Sequence, residues 1–202
     1  DLFNEIKGRI KQTDMSVPYK DGSYLYYERY EDNKEYSTYC RIKQSAVNDV
    51  KSIIDSTSEK KQIKIDGEEI ILDVNEMAKG HEHYSVANLQ ISPNGKILSF
   101  AVDTNGDRIY DIYFKDLSSS KLLEDKLEGV TNNLEWANDN KTVFYTSQDK
   151  ETLRENEIYK YTLGTNVKNS EKTSQKSEQK NKGTLVYTEN DETFSCYITK
   201  SK

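Results

Sequence analysis

The chain has 202 residues, 34% of them hydrophobic and 32% charged, with a formal net charge of −6. That length allows one or two domains, and the balance is polar for a globular protein without being that of a disordered chain. The negative balance argues against a nucleic-acid backbone or an anionic membrane as the main partner, and no apolar run approaches the roughly 18 residues of a membrane-spanning helix.

Fifteen tyrosines against five phenylalanines favour strands whose aromatic faces are partly wet. Cys40 and Cys196 are the only cysteines; their separation offers neither a disulfide framework nor zinc spacing, so two reduced, buried thiols in a cytoplasmic setting are expected. The chain opens Asp1-Leu-Phe without a Met or a signal-peptide core, so the start of the gene product is expected upstream.

From Asp1 to Lys11, Leu2, Phe3, Ile6 and Ile10 fall at helical spacing, which predicts the end of an amphipathic helix within residues 1–15. Pro18 forces Val17 to be extended and ends it. Tyr24–Tyr30 and Tyr36–Ile42 read as a leading hairpin, whose tyrosines serve as cross-strand pairs rather than as a stacking platform for a ligand. Residues 44–63 are rich in Ser, Lys and Asp and read as a flexible insertion. Lys64–Asp73 resumes as a strand, and Val74–Lys79 as a short helix stopped by Gly80.

The clearest pattern runs from Val86 to Thr146. The segments 86–95, 96–102, 109–116, 134–138 and 142–146 are short, rich in β-branched and aromatic residues, and bounded by Gly, Pro, Asn or Asp. Tyr110, Ile112 and Phe114 would face one way, and Asp111, Tyr113 and Lys115 the other. Ser92-Pro-Asn-Gly95 is a turn in which Gly95 can take positive φ, and Ala137-Asn-Asp-Asn-Lys141 repeats it. Two blade-like units follow, 86–129 and 130–188, the second using 156–162 and 184–188 as its later strands. Residues 166–182, made of Asn, Lys, Ser, Glu, Gln and Thr with one Val, read as a flexible loop. Thr193–Thr199 reads as a strand opening a third blade. The fold class is mainly all-β: an incomplete propeller of two to three blades over 16–202.

The ordered series Glu5–Ile10, Val17-Pro-Tyr19, Gly22–Tyr27, Glu35-Tyr36, Tyr39, Leu72–Asn75, Ala78–His81, Ser92-Pro93, Asp103, Lys115–Leu117, Trp136–Asp139, Phe144-Tyr145, Asp149, Thr152–Arg154, Leu163–Thr165 and Leu185–Tyr187 resembles the N-terminal part of oligopeptidase B, a family of the prolyl oligopeptidase clan of serine peptidases. It departs from the family at Glu155, where Pro is usual, at Lys160-Tyr161, where an Arg-His pair is usual, and in its two long insertions. The resemblance implies a seven-bladed propeller capping an α/β-hydrolase domain that carries Ser, Asp and His. It also implies cleavage of short peptides after Arg or Lys, with no metal or cofactor, and with the C-terminal hydrolase domain as the partner.

That catalytic domain is absent from these residues. No Gly-x-Ser-x-Gly occurs, and nothing sets a serine beside His81 or His83, the only histidines, so no catalytic, cofactor-binding or metal residue is assigned. His81-x-His83 lacks a third ligand. Asp103, Asn105 and Asp107 fall at positions 1, 3 and 5 of a calcium loop, but the glycine is Gly106 at position 4, and Phe114 stands at position 12 where a bidentate Glu is needed, so a hairpin turn is expected. Trp136 reads as a core aromatic between blades. The leading functional expectation is the gating portion of a serine oligopeptidase, inactive by itself. The alternative is a free-standing β-sheet interaction module without catalysis. Two blades and one strand cannot close a ring, so unpaired edges are expected.

Overall fold

The computed structural model describes residues 2–9, 14–47, 65–149, 151–165 and 182–200. The expectations for most of the insertions at 44–63 and 166–182 lie outside the described residues; Gln44–Ala46 forms a short 3-10 turn. The chain forms two compact units, Asp1–Gly80 and His81–Lys202.

In the first unit, helix α1 (Leu2–Arg9) is the expected helix, and its Leu2, Phe3 and Ile6 side chains are exposed. The sheet contains β1 (Asp14–Met15), β2 (Tyr19–Asp21), β3 (Tyr24–Tyr30), β4 (Thr38–Lys43) and β5 (Glu69–Asp73). All pairs are antiparallel, and β1 and β2 both lie beside β3, with Asp14 opposite Tyr30 and Tyr19 opposite Tyr26. Ser16, Val17 and Pro18 separate β1 from β2, because proline cannot donate to a ladder.

The leading hairpin is therefore not free-standing. β5 pairs with β4, and β1 with β2 supplies the opposite edge, which makes a sheet four strands wide. A lone hairpin is marginal in water, and the added strands give it a buried face: Leu25, Tyr27, Cys40 and Ile42, with Met15, Val47 and Ile65 packed on them. Helix α2 (Val74–Met77) follows β5 at once, with the Asp73 carboxylate accepting from Asn75 N at 3.0 Å. It ends at Met77, before the expected Lys79, and Gly80 takes φ 86° after it.

A buried charge cluster ties this sheet together. The Arg29 guanidinium donates to Glu68 through Nη2 at 2.9 Å and Nε at 3.3 Å, and also pairs with Glu31. Tyr27 Oη donates to Glu68 at 2.6 Å. The cluster joins β3 to the residues just before β5, which lie 39 positions away in sequence.

The second unit holds two four-stranded antiparallel meanders. The first runs β6 (Ser85–Ile91), β7 (Ile97–Asp103), β8 (Tyr110–Asp116) and β9 (Lys121–Val130); the second runs β10 (Leu134–Trp136), β11 (Thr142–Gln148), β12 (Glu155–Thr162) and β13 (Thr184–Thr188). Strand order follows chain order in both, as in a propeller blade. β9 escapes a hydrophobic pattern search because half of its residues are charged, yet it buries Asp125, Leu127 and Val130. The two expected turns form: Gly95 has φ 73° with its N–H bonded to Ser92 O at 2.8 Å, and Asn140 has φ 62° at the equivalent place.

One expected strand is absent. Residues 194–200 form no ladder among the described residues. Backbone N–H of Cys196 reaches Glu155 O at 2.7 Å, and Ile198 is held by a side chain rather than by a neighbouring strand. A strand needs a partner backbone along its length, and here only isolated contacts exist.

Two outcomes test these features. Glu68→Ala should lower the stability of the first unit by about 3–5 kcal/mol, because it strands a buried guanidinium, whereas Arg29→Leu combined with Glu68→Leu should cost less than the single change; thermal melts of the three variants decide it. Asp139 accepts from Thr142 Oγ1 at 2.6 Å and from the N–H groups of Lys141 and Thr142. These bonds, the Thr142 hydroxyl foremost, hold its carboxyl at about 2. Its stabilisation is then complete above the ordinary aspartate value of about 3.9 and disappears as pH falls toward 2. An NMR titration should place the Asp139 midpoint near 2, and Asp139→Ala should flatten the acid limb of the stability curve between those values.

Candidate functional site on the inner strands

The first strands of the two meanders, β6 and β10, meet along a polar seam, while the faces behind them meet in an apolar core. That core is Ala101, Ile112, Phe114, Leu127 and Val130 from the first sheet against Leu134, Trp136, Val143, Tyr145, Tyr159 and Tyr161 from the second. Trp136 sits edge-on to Phe114, centroids 5.9 Å apart at 84°, and its indole N–H donates to Ser99 Oγ at 2.9 Å. Trp136 is thus the inter-sheet aromatic that its sequence context suggests. Asp125 accepts from Tyr161 Oη and from Gly164 N at 2.9 Å. Polar clips close both ends: Asn94 N donates to Asn140 Oδ1 at 2.7 Å, and Gln148 Nε2 to Arg108 O at 3.2 Å.

β6 differs from its neighbour β7. All seven of its residues are half-buried, whereas six of seven in β7 are buried. Its ladder breaks between Ala87 and Gln90, and Asn88 takes φ 46° there. A bulge of this kind re-aims side chains. Asn88 Nδ2 donates to Asn132 O at 2.6 Å and to Leu134 O at 3.3 Å. Gln90 Nε2 donates to Leu134 O at 2.8 Å and to Glu135 Oε1 at 3.1 Å. Beside this seam lies a cavity of about 210 Å³ lined by Asn88, Asn132, Asn133, Glu135 and Tyr197. Its chemistry is that of amides and one carboxylate, suited to hydrogen bonding with peptide groups and not to nucleophilic attack.

The residues singled out in sequence fall elsewhere. His81 packs on Tyr84 with ring centroids 5.2 Å apart, and His83 lies over Gly106. Asp103 spends its carboxylate on its own loop, accepting from Asn105 N, Gly106 N and Arg108 N at 2.8, 2.7 and 3.0 Å. Burial opposes its ionisation, and the three N–H bonds outweigh that and lower its pKa. Asp107 caps Ile109 N at 3.1 Å, and Phe114 is fully buried in the core. The Asp103 loop is therefore a hairpin connection. Among the described residues no group of three or more His, Cys, Asp or Glu could hold a metal. Cys40 and Cys196 are free and buried, and burial, with Glu68 beside it, pushes the Cys40 thiol up to about 12.

Sequence reading did not single out Asn88, Gln90 or Asn133. The available signal was the repeat itself: Asn88-Leu-Gln and Asn133-Leu-Glu each stand at the same distance before their turn.

Consecutive four-strand meanders stacked through an aromatic face define a segment of β-propeller. Residues 1–200 match the family described as "Prolyl oligopeptidase, N-terminal beta-propeller domain", and the chain belongs to it. It is 34% identical over 201 residues to dipeptidyl aminopeptidase BI of Pseudoxanthomonas mexicana and 29% identical over 203 residues to protease 2 of Moraxella lacunata, covering all of this chain and 26% of each relative. The structure of oligopeptidase B from Leishmania major superposes with a TM-score of 0.78 at 29% identity, over 99% of this chain and 24% of that one. The chain thus spans about a quarter of the length of the relatives it matches. No helix among the described residues is long and apolar enough to cross a membrane.

The sole tryptophan reports on the inter-sheet contact. Ser99→Ala leaves the buried indole N–H unpaired and should cost about 1–3 kcal/mol. Trp136→Ala, which also opens a cavity, should cost about 3–5 kcal/mol. Denaturant melts followed by circular dichroism measure both, and equal stability of Ser99→Ala and the parent chain would contradict the bond.

Proposed function

We propose that residues 16–202 are the opening arc of the propeller of a serine oligopeptidase, and that this arc restricts access of peptides to a hydrolase domain carried by the same polypeptide. The observation that carries this reading is the family match across residues 1–200, together with relatives about four times as long. The exposed aromatic and aliphatic side chains that follow β12 support it. Leu185, Val186 and Tyr187 of β13 and Phe194 beyond it are about half exposed and Tyr197 more so, whereas the first sheet has a face covered by the second. An uncovered face of this kind fits a further blade.

In the intact enzyme the substrates are short peptides cleaved after Arg or Lys, in the cytoplasm, where thiols such as Cys40 and Cys196 stay reduced. The propeller supplies exclusion and the hydrolase domain supplies chemistry: a serine oxygen attacks the scissile carbonyl while a histidine takes its proton. The residues of this chain contribute no group to that step. Their amide-lined inner strands offer passing peptides weak, exchangeable hydrogen bonds, which favours transit over retention.

The test is hydrolysis of a fluorogenic arginyl peptide by this chain and by a polypeptide in which it runs on into the hydrolase domain. No turnover is expected from the chain, and turnover blocked by a serine-directed inhibitor is expected from the longer protein. Arginyl hydrolysis by the chain itself, or a longer protein that cleaves only after residues other than Arg and Lys, would overturn the reading.

A further inference from the structure

The two meanders can be aligned on their own geometry. Ser92 N donates to Ile97 O at 2.8 Å, and Ala137 N donates to Thr142 O at 2.9 Å, so these bonds close equivalent turns. Asn88 and Asn133 each stand four residues before the first residue of that turn, and both occupy points where the inner strand is irregular: Asn88 in the bulge of β6, Asn133 immediately before β10.

Their side chains do the same thing. Asn88 sends its amide N–H groups to Asn132 O and Leu134 O, on the inner strand of the next sheet. Asn133, buried at 6% exposure, donates from Nδ2 to Ile198 O at 3.0 Å and accepts from Ile198 N at Oδ1, at 2.8 Å. A carboxamide carries one acceptor and two donors in a plane, as a peptide group does. The Asn133 side chain therefore stands in for a strand neighbour, making with Ile198 both bonds that a paired residue would make. Gln90 has no such counterpart, because its equivalent, Glu135, has no N–H to donate.

The segment it holds is braced from the same sheet. Arg154 Nη1 donates to Asp191 O at 3.0 Å and Phe194 O at 2.7 Å, and Glu155 O accepts from Cys196 N. Residues 191–198 thus cross back from the outer strand of the second sheet to its inner edge.

We propose that Asn88 and Asn133 are one repeated device, a register pin: at each blade boundary an asparagine in or just before the inner strand fastens the backbone that comes next in the same position. At the second boundary the pinned backbone is that of Ile198, which sets residues near it as the inner strand of a further blade; only this last clause rests on the propeller reading above. The pins act where the regular ladder is weakest, since β10 has three residues and β6 is interrupted.

Residue-resolved hydrogen exchange on the full chain tests this. Asn133→Ala removes both bonds to Ile198 and should speed exchange of its amide by about tenfold or more, while amides of β11 and β12 keep their protection. Asn133→Asp keeps the acceptor for the Ile198 N–H but sets a carboxylate oxygen against the Ile198 carbonyl, so it should quicken exchange of the Ile198 amide by less than Asn133→Ala does. Asn88→Asp sets a carboxylate against two carbonyl oxygens and should quicken exchange at 134–136 but not in β7. Unchanged Ile198 exchange in Asn133→Ala, or loss spread equally through β11 and β12, would overturn the pin. Unchanged exchange at 134–136 in Asn88→Asp would overturn the equivalence of the two sites. A longer polypeptide found to lack a further blade would sink the propeller reading and leave these exchange results standing.

Discussion

Trp136 set edge-on to Phe114 is the contact on which the 81–202 unit depends. Each of its sheets has one face that would be wet and apolar if it stood by itself, and the two faces satisfy one another by stacking. The indole also brings a polar N–H into the core, and Ser99 meets it. Because the aromatic comes from β10, only three residues long, the contact holds in place a strand that its own ladder would barely secure. The amide seam, the 210 Å³ cavity and the polar clips at either end all sit on the geometry that this contact creates.

The polar groups are distributed in a consistent way. Carboxylates at loop starts, Asp103, Asp116, Asp139 and Asp149, are turned inward on their own turns and bond the N–H groups that follow. They make the connections rigid and are thereby removed from any ligand chemistry. Carboxamides on the inner strands face across to the neighbouring sheet instead. Acids finish turns and amides join blades, which places hydrogen-bonding side chains along the inner strands.

The departures from the family take on a physical meaning in this setting. Glu155, where the family resemblance leads one to expect proline, accepts from the Thr146 hydroxyl at 2.8 Å through its carboxylate and from Cys196 N through its carbonyl. A proline could supply only the second bond. Tyr161, where the family resemblance leads one to expect histidine, reaches Asp125 across the sheet boundary and stacks on Phe114 with centroids 6.5 Å apart. The tyrosine adds a contact between the two sheets, and the glutamate adds one within the second sheet.

The sequence by itself determined the strands with strong alternation, the two turns, the burial of Trp136, and the lack of a nucleophile elbow, since these depend on neighbours a few residues apart. It suggested the propeller through repetition. It did not disclose that the early hairpin grows into a full sheet, that charged β9 is a strand, or that 194–200 runs without a ladder, because each depends on which backbone lies alongside. The tertiary structure alone decided the seam. Asn88 meets Asn132 across 44 positions and Asn133 meets Ile198 across 65. An asparagine side chain has no pattern that names its partner; its bond exists only once folding has delivered a backbone group to within about 3 Å.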